Sequence, residues 1–265
     1  MSKQRNYSVF IGFKIIAILL LLPSLTFADW AASTSFETTD GSTIPTDGVT
    51  IHNTGDGSGW SDNWTESGTG DWIYDDDVAG VPNGTFVAQV DTGPANLETA
   101  LDRTLNPTVA AGDLTFSFRI NKTNRNNHNI IFREGGTNRF GVASNPQQSG
   151  PAHLVEAVGG STIASDLFSA DTWYTIRINF DCSTDTFDVY VDNVLKGDNV
   201  AFSSACTTAI DAVRLSLDAV STPGSSAGSI FYIDFIQPVI TASNSIRGFI
   251  RSASSFLRTG TTNFR

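Results

Sequence analysis

The feature that most constrains the fold is a series of short segments in which apolar and polar residues alternate. The segment 114–121 places Phe116, Phe118 and Ile120 on one face and polar side chains on the other. The segment 186–191 alternates in the same way. A period of two residues is that of a β-strand with one buried face, and turn residues separate these segments at short intervals. The sequence therefore predicts an all-β protein, built as an antiparallel two-sheet sandwich.

The acidic residues support the same interpretation. The 265 residues include 22 Asp but only 5 Glu, together with 23 Gly. Asp and Gly favour turns, whereas Glu favours helices. The net charge of −11 argues against nucleic acid as a partner. One core can account for a chain of this length, and we expect a single sandwich domain over residues 29–240.

Residues 1–28 have the features of a secretory signal peptide. They contain three basic residues and no acidic one, and an apolar run at 15–22 is followed by Pro23 and by a small residue, Ala28, at the expected cleavage site. The alternative is an N-terminal membrane anchor, but the apolar run is shorter than the roughly 20 residues that a spanning helix needs. We expect cleavage after Ala28 and a protein that is secreted, periplasmic or bound to the cell surface.

The two cysteines, Cys182 and Cys206, flank a predicted hairpin. In the oxidising compartment that export implies, a bridge between them would stabilise the fold by about 3 kcal/mol. The alternative is a catalytic thiol, but neither cysteine lies near a histidine in sequence. We predict a disulfide.

Residues 241–265 form a third segment with its own composition. They contain four Arg and no acidic residue, and Ile246, Phe249 and Ile250 fall at helical spacing. A basic amphipathic helix over residues 244–258 would lie on an anionic membrane surface or contact a partner protein. The alternative is a tail without regular structure, because so short a helix is marginal by itself in water. Both alternatives stay open.

Several sequence blocks resemble a known group of folds. In chain order the blocks are Phe36-Glu37, GSGWSDNW at 57–64, FREGGTNR at 132–139, DTWYTIRI at 171–178, TFDVYVDN at 186–193 and FYIDFI at 231–236. In this order they resemble the laminin-G-like and concanavalin A-like jelly rolls of exported bacterial proteins. The resemblance covers residues 35–238 and implies a jelly-roll sandwich. It leaves the function open, because this fold includes lectins, glycanases and adhesion modules.

We expect a non-catalytic module that binds carbohydrate, such as a cell-surface polysaccharide, or that serves adhesion. One alternative is an enzyme that acts on polysaccharide. The glucanases of this fold carry an E-x-D-x-x-E pattern on one strand, and this chain lacks it. Acids from distant strands could still converge in the concave groove that such folds have, at the spacing that glycoside hydrolysis needs. A second alternative is a purely structural surface protein.

Four tryptophans bear on the choice between these functions. Trp60, Trp64 and Trp72 cluster in a region rich in Gly, Ser and Asp, and are candidate rings for stacking against a sugar. The alternative is that they are core residues that anchor loops onto the sandwich. Trp173 begins an alternating segment, and we expect it in the core.

Asp234 is the leading candidate for a metal ligand. It lies in the apolar strand 230–236, where a carboxylate cannot stay charged without a partner. The resemblance implies a structural Ca²⁺ held by Asp234 on the last strand and by Glu37 near the N-terminus, and Asp91 could complete the oxygen ligands. The alternative is that Asp234 accepts hydrogen bonds from a loop. The acidic run 75–77 is expected to be a solvated turn; the alternative is a Ca²⁺ site, although contiguous acids cannot all face one ion.

Overall fold

The structure is a computed structural model, and it describes residues 30–37, 44–55, 57–91, 99–123, 127–147, 150–218 and 229–239. The predicted signal peptide at 1–28 and the predicted basic segment at 241–265 lie outside the described residues and stay predictions. In the described ranges no helix has the length and hydropathy that crossing a membrane requires.

The described residues form strands and connecting loops, with no helix among them. The strands are β1 (Thr65–Gly68), β2 (Trp72–Asp75), β3 (Val87–Asp91), β4 (Thr99–Val109), β5 (Ala111–Ile120), β6 (Asn127–Glu134), β7 (Thr137–Asn145), β8 (Ala152–Glu156), β9 (Thr162–Phe168), β10 (Tyr174–Asp181), β11 (Thr186–Val191), β12 (Val194–Ala201), β13 (Ile210–Asp218) and β14 (Ile230–Pro238). The prediction of an all-β fold is confirmed.

The strands make two antiparallel sheets of seven strands each. The first sheet has the order β1-β4-β13-β6-β7-β8-β9, and the second has the order β12-β11-β10-β5-β14-β3-β2. The chain changes sheet repeatedly, for example from β4 to β5 and from β5 to β6. The two-sheet sandwich predicted from the alternating segments is therefore confirmed.

One hydrophobic core fills the space between the sheets. The apolar side chains predicted on the inner face of β5, Phe116 and Ile120, are fully buried, and so is Leu215 of β13 in the other sheet. Aromatic rings pack across the core, with Phe132 stacked on Phe140 at 4.7 Å between centroids. Such ring contacts add to the burial of apolar area, which is the main stabilising term.

The predicted disulfide is also confirmed. Cys182 and Cys206 are bonded, with their Cα atoms 5.3 Å apart. Cys182 directly follows β10, and Cys206 lies in the loop that connects β12 to β13. The bridge therefore closes a loop that contains the edge hairpin β11–β12.

Candidate functional site

The centre of the first sheet carries a polar cluster on its outer face, the face turned away from the core. The strand register places Asp102 of β4 opposite Arg214 of β13, and Arg214 opposite Ile131 of β6. Their chain neighbours Leu101 and Leu215 belong to the core. Because successive side chains of a strand point to opposite faces, Asp102 and Arg214 point outward.

Asp102 is held by two guanidinium groups. Arg214 donates from Nε to Oδ1 at 2.9 Å and from Nη2 to Oδ2 at 2.7 Å, and Arg133 donates from Nη1 to Oδ1 at 2.9 Å. Charge-assisted bonds of this bidentate kind fix the orientation of both partners. The three side chains keep exposed fractions of 19% for Asp102, 18% for Arg133 and 27% for Arg214, so a ligand can reach them.

A pocket of about 260 Å³ opens beside this cluster. Arg214, Ser216, Asp218 and Asn138 give it a polar lining, and Ile131 contributes apolar surface. Nearby, Asn129 donates from Nδ2 to Ser216 Oγ at 3.1 Å and to Asp218 Oδ2 at 2.7 Å. The pocket thus presents guanidinium, hydroxyl, amide and carboxylate groups, which can exchange hydrogen bonds with a ligand rich in hydroxyl groups.

The sequence interpretation missed this cluster. Its signal is present, because Arg214 stands at an outward position between the core residues Val213 and Leu215, and Asp102 directly follows Leu101 of the core. However, the two residues are 112 positions apart, and their pairing depends on β13 lying beside β4. That strand order cannot be inferred from a single sequence.

The three candidate stacking tryptophans do not form an open platform. Trp64 and Trp72 are fully buried, and Trp60 is half-buried and packs against the core. The Arg103 guanidinium carbon lies 4.9 Å from the ring centroid of Trp60 and 5.4 Å from that of Trp64. The expectation of a sugar platform is therefore wrong for Trp64 and Trp72, because their rings fill the core and anchor the surrounding loops.

Trp173 was expected in the core, but the structure places it outside the core. It is half-buried and does not belong to the core; its Nε1 donates to the carbonyl of Ala79 at 3.2 Å, and its ring lies 6.4 Å from that of Tyr232. Trp173 stands two and four positions before Thr175 and Arg177, which point outward, so it belongs to the same face of the segment. Strand alternation therefore explains its position better than its size does.

Asp234 and Glu37 lie near each other beneath the loop at residues 83–86. Asp234 is fully buried; its Oδ2 accepts the Asn83 N–H at 2.7 Å, and its Oδ1 has no hydrogen-bond partner among the described residues. Glu37 Oε1 accepts the N–H groups of Thr85 and Phe86 at 2.8 and 2.9 Å. Burial, with a further contribution from the Glu37 charge, raises the pKa of Asp234 to about 7.

Asp234 and Glu37 supply some of the oxygen ligands that a cation would need here. The bonds described for the two carboxylates use Asp234 Oδ2 and Glu37 Oε1, and the other oxygen of each group has no described partner. Oxygens of this kind are the ligands that Ca²⁺ prefers. Asp91 does not join them, because it is exposed and lies opposite Ile230. Ile230 is four residues from Asp234, which is about 13 Å along the strand.

A separate cluster of three acidic residues lies at the surface. The carboxylates of Asp47, Asp76 and Asp77 come within 4.8 Å of one another, and all three residues are exposed. The N–H of Asp77 donates to Asp75 Oδ1 at 2.9 Å, which is the local bonding of a turn. Asp76 and Asp77 are exposed directly after β2, as in the predicted solvated turn, whereas Asp75 is the half-buried last residue of that strand.

Comparison with known proteins bears on the fold. No protein-family model and no curated protein sequence matches the chain. A solved sialidase structure matches with a TM-score of 0.51 and 12% identity, over 76% of this chain and 19% of the sialidase. Domain 4 of AbnA, a GH43 extracellular arabinanase from Geobacillus stearothermophilus in complex with arabinotriose, matches with a TM-score of 0.45 and 15% identity over 82% of this chain and 96% of that domain.

A glycosyl hydrolase family protein from Mycobacterium fortuitum matches with a TM-score of 0.47 and 13% identity, over 77% of this chain and 97% of that protein. The chain spans about a fifth of the length of the sialidase. At 12% identity the match to the sialidase bears on the fold alone, and it agrees with the sandwich described above. In the ranges that the structure describes, the chain is an antiparallel β-sandwich of two seven-stranded sheets.

Proposed function

We propose that the chain is an exported, non-catalytic module that binds a neutral carbohydrate on the outer face of its first sheet. The observation that carries the proposal is the Asp102 carboxylate held by Arg133 and Arg214 at the edge of a polar pocket. The likeness in fold to part of a sialidase supports a carbohydrate-related role. The disulfide supports export, since such bonds persist in oxidising compartments.

The charges of the site favour a neutral ligand over an anionic one. Around the pocket, the carboxylates of Asp102 and Asp218 together balance the charges of Arg133 and Arg214. Residues 29–240 carry 27 acidic side chains against nine basic ones, so the body of the protein repels polyanions at low ionic strength.

Recognition in this pocket rests on hydrogen bonds. Among the described residues no aromatic ring lines the pocket, whereas Asn138, Arg214 and Ser216 offer amide, guanidinium and hydroxyl donors. Arg214 is fixed by its two bonds to Asp102, so little side-chain entropy is lost when a sugar hydroxyl binds. Both described carboxylates at the site, Asp102 and Asp218, accept hydrogen bonds from neighbouring side chains, which supports a binding role over catalysis.

A test replaces one donor of the site and leaves the fold intact. We expect Arg214→Ala to weaken binding to a glycan identified on an array of neutral oligosaccharides by about 10-fold or more, because a hydrogen bond to a charged group contributes about 1.5–3 kcal/mol. Arg119→Ala is the matched control, since Arg119 also forms a partly exposed ion pair, with Asp171, away from the pocket. Equal affinities for the two variants would contradict the proposed site, and failure of the wild type to bind any glycan would favour a structural surface role.

We also propose that Glu37 and Asp234 hold a structural Ca²⁺. The proposal is supported by the buried Asp234 Oδ1 without a described partner and by the neighbouring charge of Glu37. The ion would neutralise both carboxylates and tie the first described segment of the chain, residues 30–37, to β14. Thermal unfolding with and without chelator tests this role.

A further inference from the structure

The outer face of the second sheet carries a pocket of its own. It has a volume of about 450 Å³ and is lined by residues of β5, β10 and β14 and of the β11–β12 turn. Three lining residues form one row across the sheet, because Thr115 of β5 lies opposite both Gln237 of β14 and Arg177 of β10. Arg177 in turn lies opposite Tyr190 of β11. With Tyr190 included, the row covers four strands and is about 14 Å long at the spacing of neighbouring strands.

Arg177 is the fixed element of this row. It donates from Nε to Asp113 Oδ1 at 2.8 Å and from Nη2 to Asp113 Oδ2 at 2.6 Å. Its guanidinium carbon also lies 4.8 Å from the ring centroid of Tyr190, within the range of a cation–π contact. The side chain is 35% exposed, and its Nη1 makes no hydrogen bond to any residue in the described ranges.

Two amides complete the polar lining. Asn193 and Gln237 are exposed, and neither side chain forms a hydrogen bond with the described part of the chain. Thr175, whose hydroxyl lies 3.3 Å from that of Ser117, adds a further polar group. The pocket therefore holds a guanidinium N–H and two amide groups that are ready to bond a ligand, since amides both donate and accept.

The two pockets share one arrangement of groups. In each, an arginine binds an aspartate through Nε and Nη2: Arg214 with Asp102 at 2.9 and 2.7 Å, and Arg177 with Asp113 at 2.8 and 2.6 Å. The charge of each arginine is thereby offset, while an amide and hydroxyl groups stand beside it. The same chemistry selects the same class of ligand, a neutral molecule with many hydroxyl groups.

The pockets open in opposite directions. Each lies on the outer face of a different sheet, and the sheets pack against each other through the core between them. Packed sheets are about 10 Å apart, so two ligands on the outer faces would not touch. Two independent sites for one ligand class on a single chain allow it to connect two glycan strands.

We propose that the pocket of Thr115, Arg177, Asn193 and Gln237 is a second binding site for neutral carbohydrate, and that the protein cross-links glycan strands. The ligand class rests on the proposed function of the first pocket, whereas the second site itself rests on its own residues. Cross-linking requires both pockets on the same molecule.

The experiment measures stoichiometry and cross-linking separately. Isothermal titration uses soluble neutral oligosaccharides of glucose, xylose, arabinose, mannose and galactose, and turbidity with the corresponding polysaccharides reports cross-linking. We expect two sites on the wild-type chain and one site, without turbidity, on the double variant N193G/Q237A. Asn193 has a φ of 65°, so glycine keeps the hairpin turn.

A matched double variant, Q147A/N199G, removes the same two residue types elsewhere. Asn199 also has a positive φ, of 50°, and neither residue lines a pocket described above. We expect this control to keep two sites and full turbidity, with thermal unfolding confirming that both double variants fold.

The outcomes separate the two proposals. A wild-type stoichiometry of one, unchanged by N193G/Q237A but lost in Arg214→Ala, would overturn the second site and leave the first. Loss of all binding in N193G/Q237A, with none lost in Arg214→Ala, would overturn the first site and the cross-linking. Absence of binding to every oligosaccharide would overturn both.

Discussion

The protonation of Asp234 gives the sharpest test of the calcium proposal. The carboxyl is fully buried and its pKa is raised to about 7, against 3.8 for the ordinary group. A raised pKa in the folded state means that the proton stabilises the fold. This contribution is complete below pH 3.8 and is lost as the pH rises through 7. Without a cation, the free energy of unfolding should therefore fall as the pH rises from 4 to 7.5, because Asp234 loses its proton over this range.

The size of the effect follows from the shift. A difference of about three pK units is worth at most about 4 kcal/mol at neutral pH. For a domain of this size, each kcal/mol moves Tm by about 2–4 °C. Bound Ca²⁺ would offset the cost of ionising Asp234, so we expect calcium to raise Tm by at most about 8–16 °C at pH 7.5 and by much less at pH 5.

The assay is thermal unfolding at a series of pH values, in EDTA and in excess CaCl2. We expect Asp234→Asn to be more stable than the wild type in EDTA at pH 7.5 and to gain nothing from calcium. Asp211→Asn is the matched control, because Asp211 also accepts a backbone N–H, that of Gly135 at 2.7 Å. If the wild type and Asp234→Asn unfold at the same temperature under all of these conditions, the reasoning about this carboxyl is wrong.

Two further predictions concern other parts of the sandwich. Burial lowers the pKa of His128 to about 3, so the neutral ring stabilises the fold above pH 6.5 and stability is lost as the pH falls toward 3, by at most about 5 kcal/mol. Denaturant titrations in excess calcium should show this acid loss in the wild type and not in His128→Asn. Gly84 has a φ of 83°, and an added Cβ would collide with the Glu37 carboxylate. Gly84→Ala should therefore lower Tm more than Gly150→Ala, which has a φ of 89° and open space; equal losses would mean that backbone strain alone acts.

The fold could be predicted from the sequence because its main signal is local. The alternation of Phe116 and Phe118 with Ser117 and Arg119 reads directly as one strand with one buried face. The cysteine pair was also predictable, since the chain has two thiols and a single intramolecular bond can join them.

The candidate sites were less predictable because they depend on which strands lie next to each other within a sheet. Trp72 occupies a strand of only four residues, too short for its period to be read, and its burial follows from β2 joining the edge of the second sheet. The pairs Asp102–Arg214 and Asp113–Arg177 link strands that are distant in sequence. Asp234 was identified beforehand because a single acid in an apolar strand is a local signal, whereas Glu37 was identified only through the family resemblance.

The place of β14 in the second sheet has a consequence for how the protein is made. β14 lies between β5 and β3, and Thr34 near the start of the described chain forms a bridge with Ile236. Until β14 has been synthesised, the second sheet is divided into two parts and the core is open on one side. The sandwich therefore cannot close on a growing chain, and its folding must follow release of nearly the whole sandwich from the ribosome. For the exported module proposed above, late closure would keep the chain unfolded while it passes through a translocon that admits unfolded chains.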